Sequence, residues 1–224
     1  RLEGYKNDLQ QAGYEEVSIH TPIGNTSRAL IKLADDEEVD LILLASHRKG
    51  FLKRTLLGST TFEMAHAVEV PLLINKDDEE EENVNLLETV LVPTDFSRKS
   101  LEALNIIRTL REFVGKVLFV HVIEHSRNKH DYKEKYGSAM LFLKELVDEM
   151  KIFGIEADYR ISHGVASKKI SAICDRDDVS MIMMTKTGAD MTNGDELGST
   201  SEHLVLNSDC AIMLLPAEDP DDEE

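Results

Sequence analysis

Cysteine is scarce in this chain, with only Cys174 and Cys210 among 224 residues. The two lie apart in the sequence, form no CxxC motif and have no histidine at the spacing of a zinc site. This pattern argues against a disulfide framework and against a zinc site. Both cysteines are predicted to be small residues in or near the core.

Basic residues are few relative to acidic ones. Lysine and arginine total 25 against 43 aspartate and glutamate residues, so the formal charge is −18. Such a charge repels a phosphate backbone and argues against a nucleic-acid or anionic-membrane partner. Two runs, DDEEEEN (77–83) and EDPDDEE (218–224), are strongly acidic. They indicate an acidic linker over residues 77–86 and a disordered tail over 218–224.

Long apolar runs are absent, and no run reaches the length needed to span a bilayer. No segment with the features of a secretory signal peptide precedes the first predicted element. We therefore expect a cytoplasmic protein.

An internal repeat organises the chain. A shift of 140 residues places Gly58-Ser59-Thr60 on Gly198-Ser199-Thr200. The same shift places VDLILLA on VSMIMMT and PLLI on AIML. Three elements in one ungapped register indicate a duplication.

The second copy alternates strands with helices from Glu88 onward. Continuous apolar strands are predicted in ETVLVPTDFS, KVLFVHVI, ADYRISHG, VSMIMMT and CAIMLL. Helices are predicted in RKSLEALNIIRTLREF, in AMLFLKELVDEMKIFG after a polar loop from His125 to Lys135, from Ser167 to Arg176, and from Gly198. This order predicts an α/β fold in which helices cover both faces of a Rossmann-like, five-stranded parallel sheet, repeated in tandem.

The first copy lacks the beginning of this series. Arg1 aligns near Leu141, so the segment from Glu88 to Ile123 has no counterpart. We expect residues 1–76 to be the C-terminal part of a first domain and residues 87–217 to be a complete second domain. Half of such a sheet is not stable alone. Either the sequence is a fragment, which we favour, or the first domain completes its sheet with another element.

The segment SMIMMTKTGADMTNGDELGSTSEHL (180–204) runs from a buried strand through a glycine-punctuated turn into a helix. Ligands of open α/β sheets bind at the carboxyl ends of strands, where a helix N-terminus offers N–H groups to an anion. Gly188 permits close approach of the backbone, and Gly198-Ser199-Thr200 opens the helix with two hydroxyls. A phosphate fits this arrangement, although glycine and serine are also ordinary capping residues.

The spacing in this segment resembles the G-x2-G-x9-G-(S/T) nucleotide signature of the universal stress protein family. Thr185 stands at the first glycine of the signature, Gly188 at the second and Gly198 at the third. The segments VLVPTDFS, VLFVHVI and CAIMLLP resemble the first, second and last strands of the family. The resemblance implies a tandem family member with the adenine nucleotide alpha-hydrolase-like fold. It also implies a stress-response regulator that binds ATP, ADP or AMP.

The resemblance also implies roles for individual residues. Asp95 would lie beside the adenine and ribose, and Val122 would offer backbone groups to the adenine edge. The end of the fourth strand would flank the ribose and phosphates, and the glycine loop and helix start would hold the phosphates. The implied second-copy set is Pro93, Thr94, Asp95, Val122, Met184, Thr185, Gly188, Gly198, Ser199, Thr200 and Ser201.

The first copy carries a related set, namely Ala45, His47, Arg48, Gly58, Ser59 and Thr60. Ala45 and Arg48 replace the first two glycines, but four basic residues of this loop suit phosphate. This site is incomplete because the sequence contains no first-copy strand that ends in an acid.

The second-copy loop departs from the family pattern because it carries Asp190, Asp195 and Glu196, which oppose a triphosphate. Three interpretations stay open: a divalent cation such as Mg²⁺ bridges the charges, the site prefers AMP, or it is empty. For Asp95 we favour a binding role, because an acid that ends a buried strand at this edge has no packing role. Its structural alternative is helix capping, which Ser97 can perform instead.

Several residues have simpler explanations than ligand binding. His47 is at least as well explained as a solvent-facing loop residue, and His121 as a satisfied edge or core residue. Met181, Met183 and Met184 are explained by core packing.

These residues are consistent with three classes of function. The favoured one is an adenine-nucleotide-binding regulatory module. A degenerate member that binds no nucleotide and serves as a dimerisation or signalling scaffold is the alternative, favoured by Thr185, Ala45, Arg48 and the acidic loop. An enzyme of the related adenylating superfamily would need an SGGxDS-type loop, which is absent. No nucleophile-activating pair is evident, so at most slow ATP hydrolysis is expected.

The last strand of each copy is predicted to lie at a sheet edge. We therefore expect PLLI (71–74) and AIML (211–214) to meet in an internal pseudo-dimer. Two chains are then expected to form a homodimer.

Overall fold

A computed structural model describes residues 1–45, 58–76, 85–188 and 197–216. The chain divides into two compact units, Arg1–Glu38 and Val39–Glu224. Across the described residues, no helix combines the length and apolar character needed to cross a bilayer. The predicted tail and most of the predicted linker lie outside the described residues.

The first unit contains two helices, α1 (Leu2–Gln11) and α2 (Thr26–Asp36). Asn25 starts α2, because its side-chain oxygen accepts the N–H of Arg28 at 3.1 Å. Residues 16–23 align with a strand of the second copy in the 140-residue shift, but they form no strand in this unit. A strand needs a neighbour for its N–H and C=O groups, and this unit contains no other strand to pair with.

Among the described residues, the second unit contains three elements of the first copy together with the elements of the second copy. The first-copy elements are β1 (Ile42–Ala45), α3 (Ser59–Ala67) and β2 (Leu72–Asn75). The second copy supplies β3 (Thr89–Pro93), a 3₁₀ turn (Lys99–Leu101), α4 (Ala103–Thr109), β4 (Lys116–Ile123), α5 (Lys129–Ile152), β5 (Glu156–His163), α6 (Ala166–Arg176), β6 (Met181–Thr185), α7 (Ser199–Asn207) and β7 (Ala211–Leu215).

The strands of the described residues form one sheet in the order β1-β2-β7-β6-β3-β4-β5. The five strands of the second copy run parallel, which confirms the predicted Rossmann-like sheet. Every residue of β6 and β7 is buried, so both faces of these strands are covered, as continuous apolar strands require. The strand order changes direction between β3 and β6. In sheets of this kind, ligands bind at such a junction.

The two copies meet through their last strands. β2 pairs antiparallel with β7, with Leu73 opposite Met213 and Ile74 opposite Ile212. The first-copy strands β1 and β2 run parallel and extend the same sheet. The expected meeting of PLLI and AIML is confirmed, and its result is a continuous seven-stranded sheet rather than two separate edges.

Two predicted boundaries in the second copy were wrong. The polar segment from His125 to Lys135 is not all loop, because α5 starts at Lys129. Asn128 caps it there, accepting the N–H groups of His130 and Asp131 at 2.8 and 3.0 Å. The helix predicted in RKSLEALNIIRTLREF is shorter and divided between the 3₁₀ turn and α4.

Backbone conformation repeats between the copies along with the sequence. Gly58 and Gly198 precede α3 and α7 with φ of −62° in both and ψ of 146° and 149°. Glu38 and Asp178 follow the ends of α2 and α6 with φ of 48° and 47°, the left-handed conformation in which many helices end. The duplication therefore extends to special backbone positions.

The core contains the residues that the apolar pattern predicted. Met181 and Met183 belong to the main hydrophobic cluster of the second copy, which confirms core packing as their role. Cys174 is buried and Cys210 is half-buried, which agrees with their predicted positions in or near the core.

Candidate functional site

A cavity of about 340 Å³ lies at the carboxyl ends of β3, β4 and β6. Its volume is within the range of small-ligand sites, roughly 300–1,000 Å³. All the second-copy residues assigned to a nucleotide site from the sequence line this cavity: Pro93, Thr94, Asp95, Val122, Met184, Thr185, Gly188, Gly198, Ser199, Thr200 and Ser201. The fold thus brings four separate segments of the chain together, and their role in binding stays a prediction.

Other lining residues were missed in the sequence analysis, namely Ser100, Val120, His121, Glu124, Ala166, Ile170 and Thr187. Val120 had a usable signal, because it lies two residues before Val122 on the same face of β4, and Glu124 directly follows the end of that strand. Ala166 and Ile170 had none, because they reach the cavity only through the packing of α6 in the tertiary structure.

Asp95 closes a tight turn after β3. Its Oδ1 accepts the backbone N–H of Ser97 at 3.0 Å and the Ser97 hydroxyl at 2.5 Å. Ser97 Oγ accepts the N–H of Ser100 at 3.2 Å, so Ser97 supplies the side-chain acceptor at the start of the 3₁₀ turn that the sequence analysis gave it in place of Asp95. Asp95 therefore holds its own turn through Oδ1, and its other oxygen, Oδ2, lies beside Gly188.

His121 supports the same turn from β4. Its Nδ1 lies 2.8 Å from the carbonyl oxygen of Thr94 and donates to it, because a carbonyl oxygen only accepts. Its ring stacks on Phe96 with centroids 4.4 Å apart. Phe96 has a φ of 66°, which is uncommon for a bulky residue. The predicted satisfied role of His121 is confirmed, and its ring also lines the cavity.

Thr185 stands at the first glycine position of the signature and closes the turn after β6. Its hydroxyl donates to the carbonyl oxygen of Thr187 at 2.9 Å. The side chain that replaces glycine is therefore buried in a local hydrogen bond. Gly188 follows, at a position where a Cβ would lie 3.0 Å from Asp95 Oδ2.

The start of α7 provides N–H groups at the cavity. The N–H groups of Ser199, Thr200 and Ser201 have no acceptor within their own helix, and Gly198 offers no side-chain cap. The Gly198 N–H, by contrast, donates to the carbonyl oxygen of Lys186 at 2.8 Å. The Ser201 hydroxyl also has a structural partner, since it donates to the carbonyl oxygen of Thr185 at 3.1 Å. Both hydrogen bonds connect the start of α7 to the residues at the end of β6.

Acidic side chains dominate the charge of the cavity. Asp95 and Glu124 line it, and its described lining includes no lysine or arginine. Glu124 Oε1 accepts the N–H of Ala166 at 2.7 Å and so caps the start of α6. The described residues contain no group of three or more His, Cys, Asp or Glu side chains placed to hold a metal ion.

The described first-copy site residues, Ala45, Gly58, Ser59 and Thr60, do not line this cavity. Ala45 ends β1, Gly58 precedes α3, and Ser59 and Thr60 form its first turn. His47 and Arg48 lie outside the described residues, so the predicted first-copy site stays a prediction. Gly58 nevertheless repeats the N-cap conformation of Gly198.

Sequence comparison identifies the family. The sequence model of the universal stress protein family matches residues 1–76 and 87–216. The chain belongs to the universal stress protein family. It carries two domains of this family in tandem, as the duplication and the spacing of the glycine loop indicated.

Similar family members support this assignment. Universal stress protein MJ0577 of Methanocaldococcus jannaschii is 34% identical over 76 residues, which make up 34% of this chain and 46% of that protein. The match thus spans less than half of that relative. The crystal structure of a universal stress protein from Archaeoglobus fulgidus has a TM-score of 0.77 at 25% identity, covering 97% of this chain and 77% of that chain. A putative universal stress protein from Pseudomonas aeruginosa has a similar fold, with a TM-score of 0.73 at 16% identity over 96% of this chain and 76% of that chain.

Proposed function

We propose that this universal stress protein binds an adenine nucleotide, ATP, ADP or AMP, in the cavity of its second domain and acts as a cytoplasmic stress-response regulator. The observation that carries the proposal is the convergence of Asp95, Val122 and the first turn of α7 on one cavity at the sheet's switch point. These groups are far apart in sequence, and each suits a different part of a nucleotide.

The phosphate end of the ligand fits the start of α7. Three N–H groups at Ser199, Thr200 and Ser201 and the positive end of the helix dipole favour an anion without a full positive charge. The hydroxyls of Ser199 and Thr200 add polar contacts at the same place.

The adenosine end fits the β3–β4 side of the cavity. Asp95 Oδ2 suits a hydrogen bond from a ribose hydroxyl or from the adenine amine, since a carboxylate accepts only. Val122 on β4 contributes backbone groups at the carboxyl end of the sheet.

A non-binding scaffold is the second candidate, and a specific observation favours it. The Gly198 N–H, the Ser201 hydroxyl and Asp95 Oδ1 all have partners within the protein. A site whose polar groups satisfy one another can stay empty. The β2–β7 pairing would then be the functional feature of the chain. A homodimer is expected whether the chain binds a nucleotide or acts as a scaffold. Light scattering on the purified chain tests this expectation.

Direct detection of the ligand separates the two candidates. Mass spectrometry of the denatured, purified protein should release an adenine nucleotide. Thermal unfolding with ATP, ADP and AMP should then rank the ligands, because a ligand at about 100 times its Kd adds roughly 2.7 kcal/mol. No released nucleotide and no shift with any of the three would favour the scaffold.

Matched variants tie the binding to this cavity. Asp95→Asn keeps an acceptor for the Ser97 turn and removes the charge, and Asp148→Asn on the exposed face of α5 is its control. Gly198→Val places a side chain 3.2 Å from the Lys186 carbonyl oxygen, whereas at Gly137 in α5, its control, a Cβ meets nothing within 4 Å. Both cavity variants should lose the ligand-induced shift and both controls should keep it. The site assignment is wrong if the cavity variants bind like the controls.

A further inference from the structure

Two buried lysines cross between the copies. Lys76 follows β2 and is fully buried, and its Nζ donates to the carbonyl oxygens of Leu204, Val205 and Ser208 at 3.2, 2.6 and 2.9 Å. These carbonyls belong to the C-terminal end of α7 in the other copy. The ammonium thus satisfies groups that a helix end leaves without partners.

Lys186 makes the reciprocal connection. It follows β6, its side chain is 4% exposed, and its Nζ donates to the carbonyl oxygens of His66 and Val68 at 2.7 and 3.0 Å. These carbonyls lie at the C-terminal end of α3 in the first copy. A cation at a helix C-terminus is favourable because it opposes the helix dipole. Each copy therefore supplies the lysine that holds a helix end of the other.

The main chain of Lys186 lies between two residues of the candidate site, which distinguishes Lys186 from Lys76. Its carbonyl oxygen accepts the Gly198 N–H at 2.8 Å, and its N–H donates to the Leu215 carbonyl oxygen at 2.9 Å. Its neighbours Thr185 and Thr187 line the cavity. One residue thus joins the end of α3, the last strand and the residue that precedes α7.

We propose that Lys186 is a positioning residue that couples nucleotide binding in the second domain to the α3 helix of the first. This inference rests on the proposed nucleotide function. Movement of the end of α3 displaces the Lys186 ammonium, and the displacement reaches Gly198 through the Lys186 carbonyl. By linkage, a nucleotide that stabilises the hydrogen bond between Lys186 and Gly198 also stabilises the last turn of α3.

Comparison with a core variant outside α3 and α7 tests the coupling. Lys186→Met should weaken nucleotide binding by about tenfold, a typical size for coupling between sites. Leu143→Ala removes a fully buried side chain of α5 and destabilises the core away from the cavity, so it should change the Kd by less than about threefold. Calorimetric titration of the full chain with ATP measures the Kd at a temperature where circular dichroism shows each variant folded. Equal weakening by both variants would show general destabilisation and overturn the proposal.

A double-mutant cycle identifies the route of the coupling. Met64 is fully buried in α3, so Met64→Ala loosens that helix without touching the cavity. It should weaken nucleotide binding in the wild-type background and have no further effect in Lys186→Met. Additive effects in the cycle would contradict the coupling.

Hydrogen exchange tests the inference on the wild-type chain and needs no variant to fold. The Val68 N–H donates to the Met64 carbonyl oxygen at 3.0 Å and reports on the last turn of α3. Saturating ATP should slow exchange at both Gly198 and Val68. Protection at Gly198 without protection at Val68 would overturn the coupling and leave the proposed function intact. A wild-type chain that binds no nucleotide would overturn both.

Discussion

A Cβ built on Gly188 would lie 3.0 Å from Oδ2 of Asp95, across the junction between the ends of β6 and β3. Gly188 comes shortly after β6 and Asp95 shortly after β3, the two strands between which the strand order changes direction. The glycine of the loop and the acid that ends β3 thus limit each other's space. A side chain at position 188 therefore requires the Asp95 carboxylate to move by a few tenths of an ångström.

Gly188→Ala should therefore displace the Asp95 carboxylate and weaken nucleotide binding. The loss of one hydrogen bond to a charged group corresponds to about 1.5–3 kcal/mol, or roughly tenfold or more in Kd. Calorimetric titration with ATP measures the effect. Gly137→Ala is the control, because Gly137 lies in α5 and a Cβ there meets nothing within 4 Å. Unchanged affinity in Gly188→Ala would place the ligand elsewhere.

Binding of ATP should depend on Mg²⁺ more strongly than binding of AMP does. The described lining of the cavity contains two carboxylates, Asp95 and Glu124, and no lysine or arginine. Because like charges repel, a triphosphate needs a cation that a monophosphate needs less. Thermal shifts with each nucleotide, with and without Mg²⁺, check this expectation. An ATP shift that is unchanged by a chelator would contradict it.

Lys76→Met should destabilise the fold, because it leaves the carbonyl oxygens at the end of α7 without their buried donor. Losing a buried partner of this kind costs about 1–3 kcal/mol. Lys116→Met is the matched control, since the Lys116–Glu156 pair is partly exposed and is expected to contribute less than about 1 kcal/mol. Urea unfolding of the three proteins compares the free energies of unfolding. Equal losses in the two variants would disprove the special role of Lys76.

Acid should remove a contribution of Asp177 to stability. Its hydrogen bonds to Arg176, and the charge of Arg160 on β5, hold the pKa of the Asp177 carboxyl below its usual value of 3.8. A lowered folded-state pKa contributes stability that is present above the unfolded-state pKa and is lost as the pH falls through the folded-state pKa.

Asp177→Asn should therefore be less stable than the wild type at about pH 7, and the difference should shrink as the pH falls below about 4. Thermal unfolding across this range measures the difference. Asp148→Asn, at an exposed pair with Lys151, is the control and should change little at any pH. A difference between Asp177→Asn and the wild type that stays constant in acid would assign the effect to something other than the charge.

Much of the fold was predictable because its signals are local. Apolar runs such as KVLFVHVI form strands at the predicted residues, and the 140-residue repeat gave matching helices and matching special backbone positions. The boundaries that failed had competing local signals. Polar residues from Lys129 onward form the first turns of α5, because Asn128 caps the helix and the apolar face begins only later.

The candidate site was predictable where spacing along one segment carried it, as at Gly188, Gly198 and Ser199. Contacts between distant segments were not predictable. Ile170 lines the cavity because α6 packs beside it, and Asp95 is held by Ser97 while Gly188 limits it from another strand.

The sequence by itself determined the alternation of strands and helices, the duplication and the residues of the glycine loop, because each of these is written in short-range periodicity and spacing. Only the tertiary structure decided that β2 and β7 pair to form one sheet. It alone also decided that Lys76 caps the end of α7 in the second copy and that Lys186 caps the end of α3 in the first. The physical reason is that a buried ammonium group, or the N–H and C=O groups of a strand edge, can form hydrogen bonds with any suitable partner. Tertiary packing decides which partner is close enough. For Lys76 that partner lies 129 residues away in the chain.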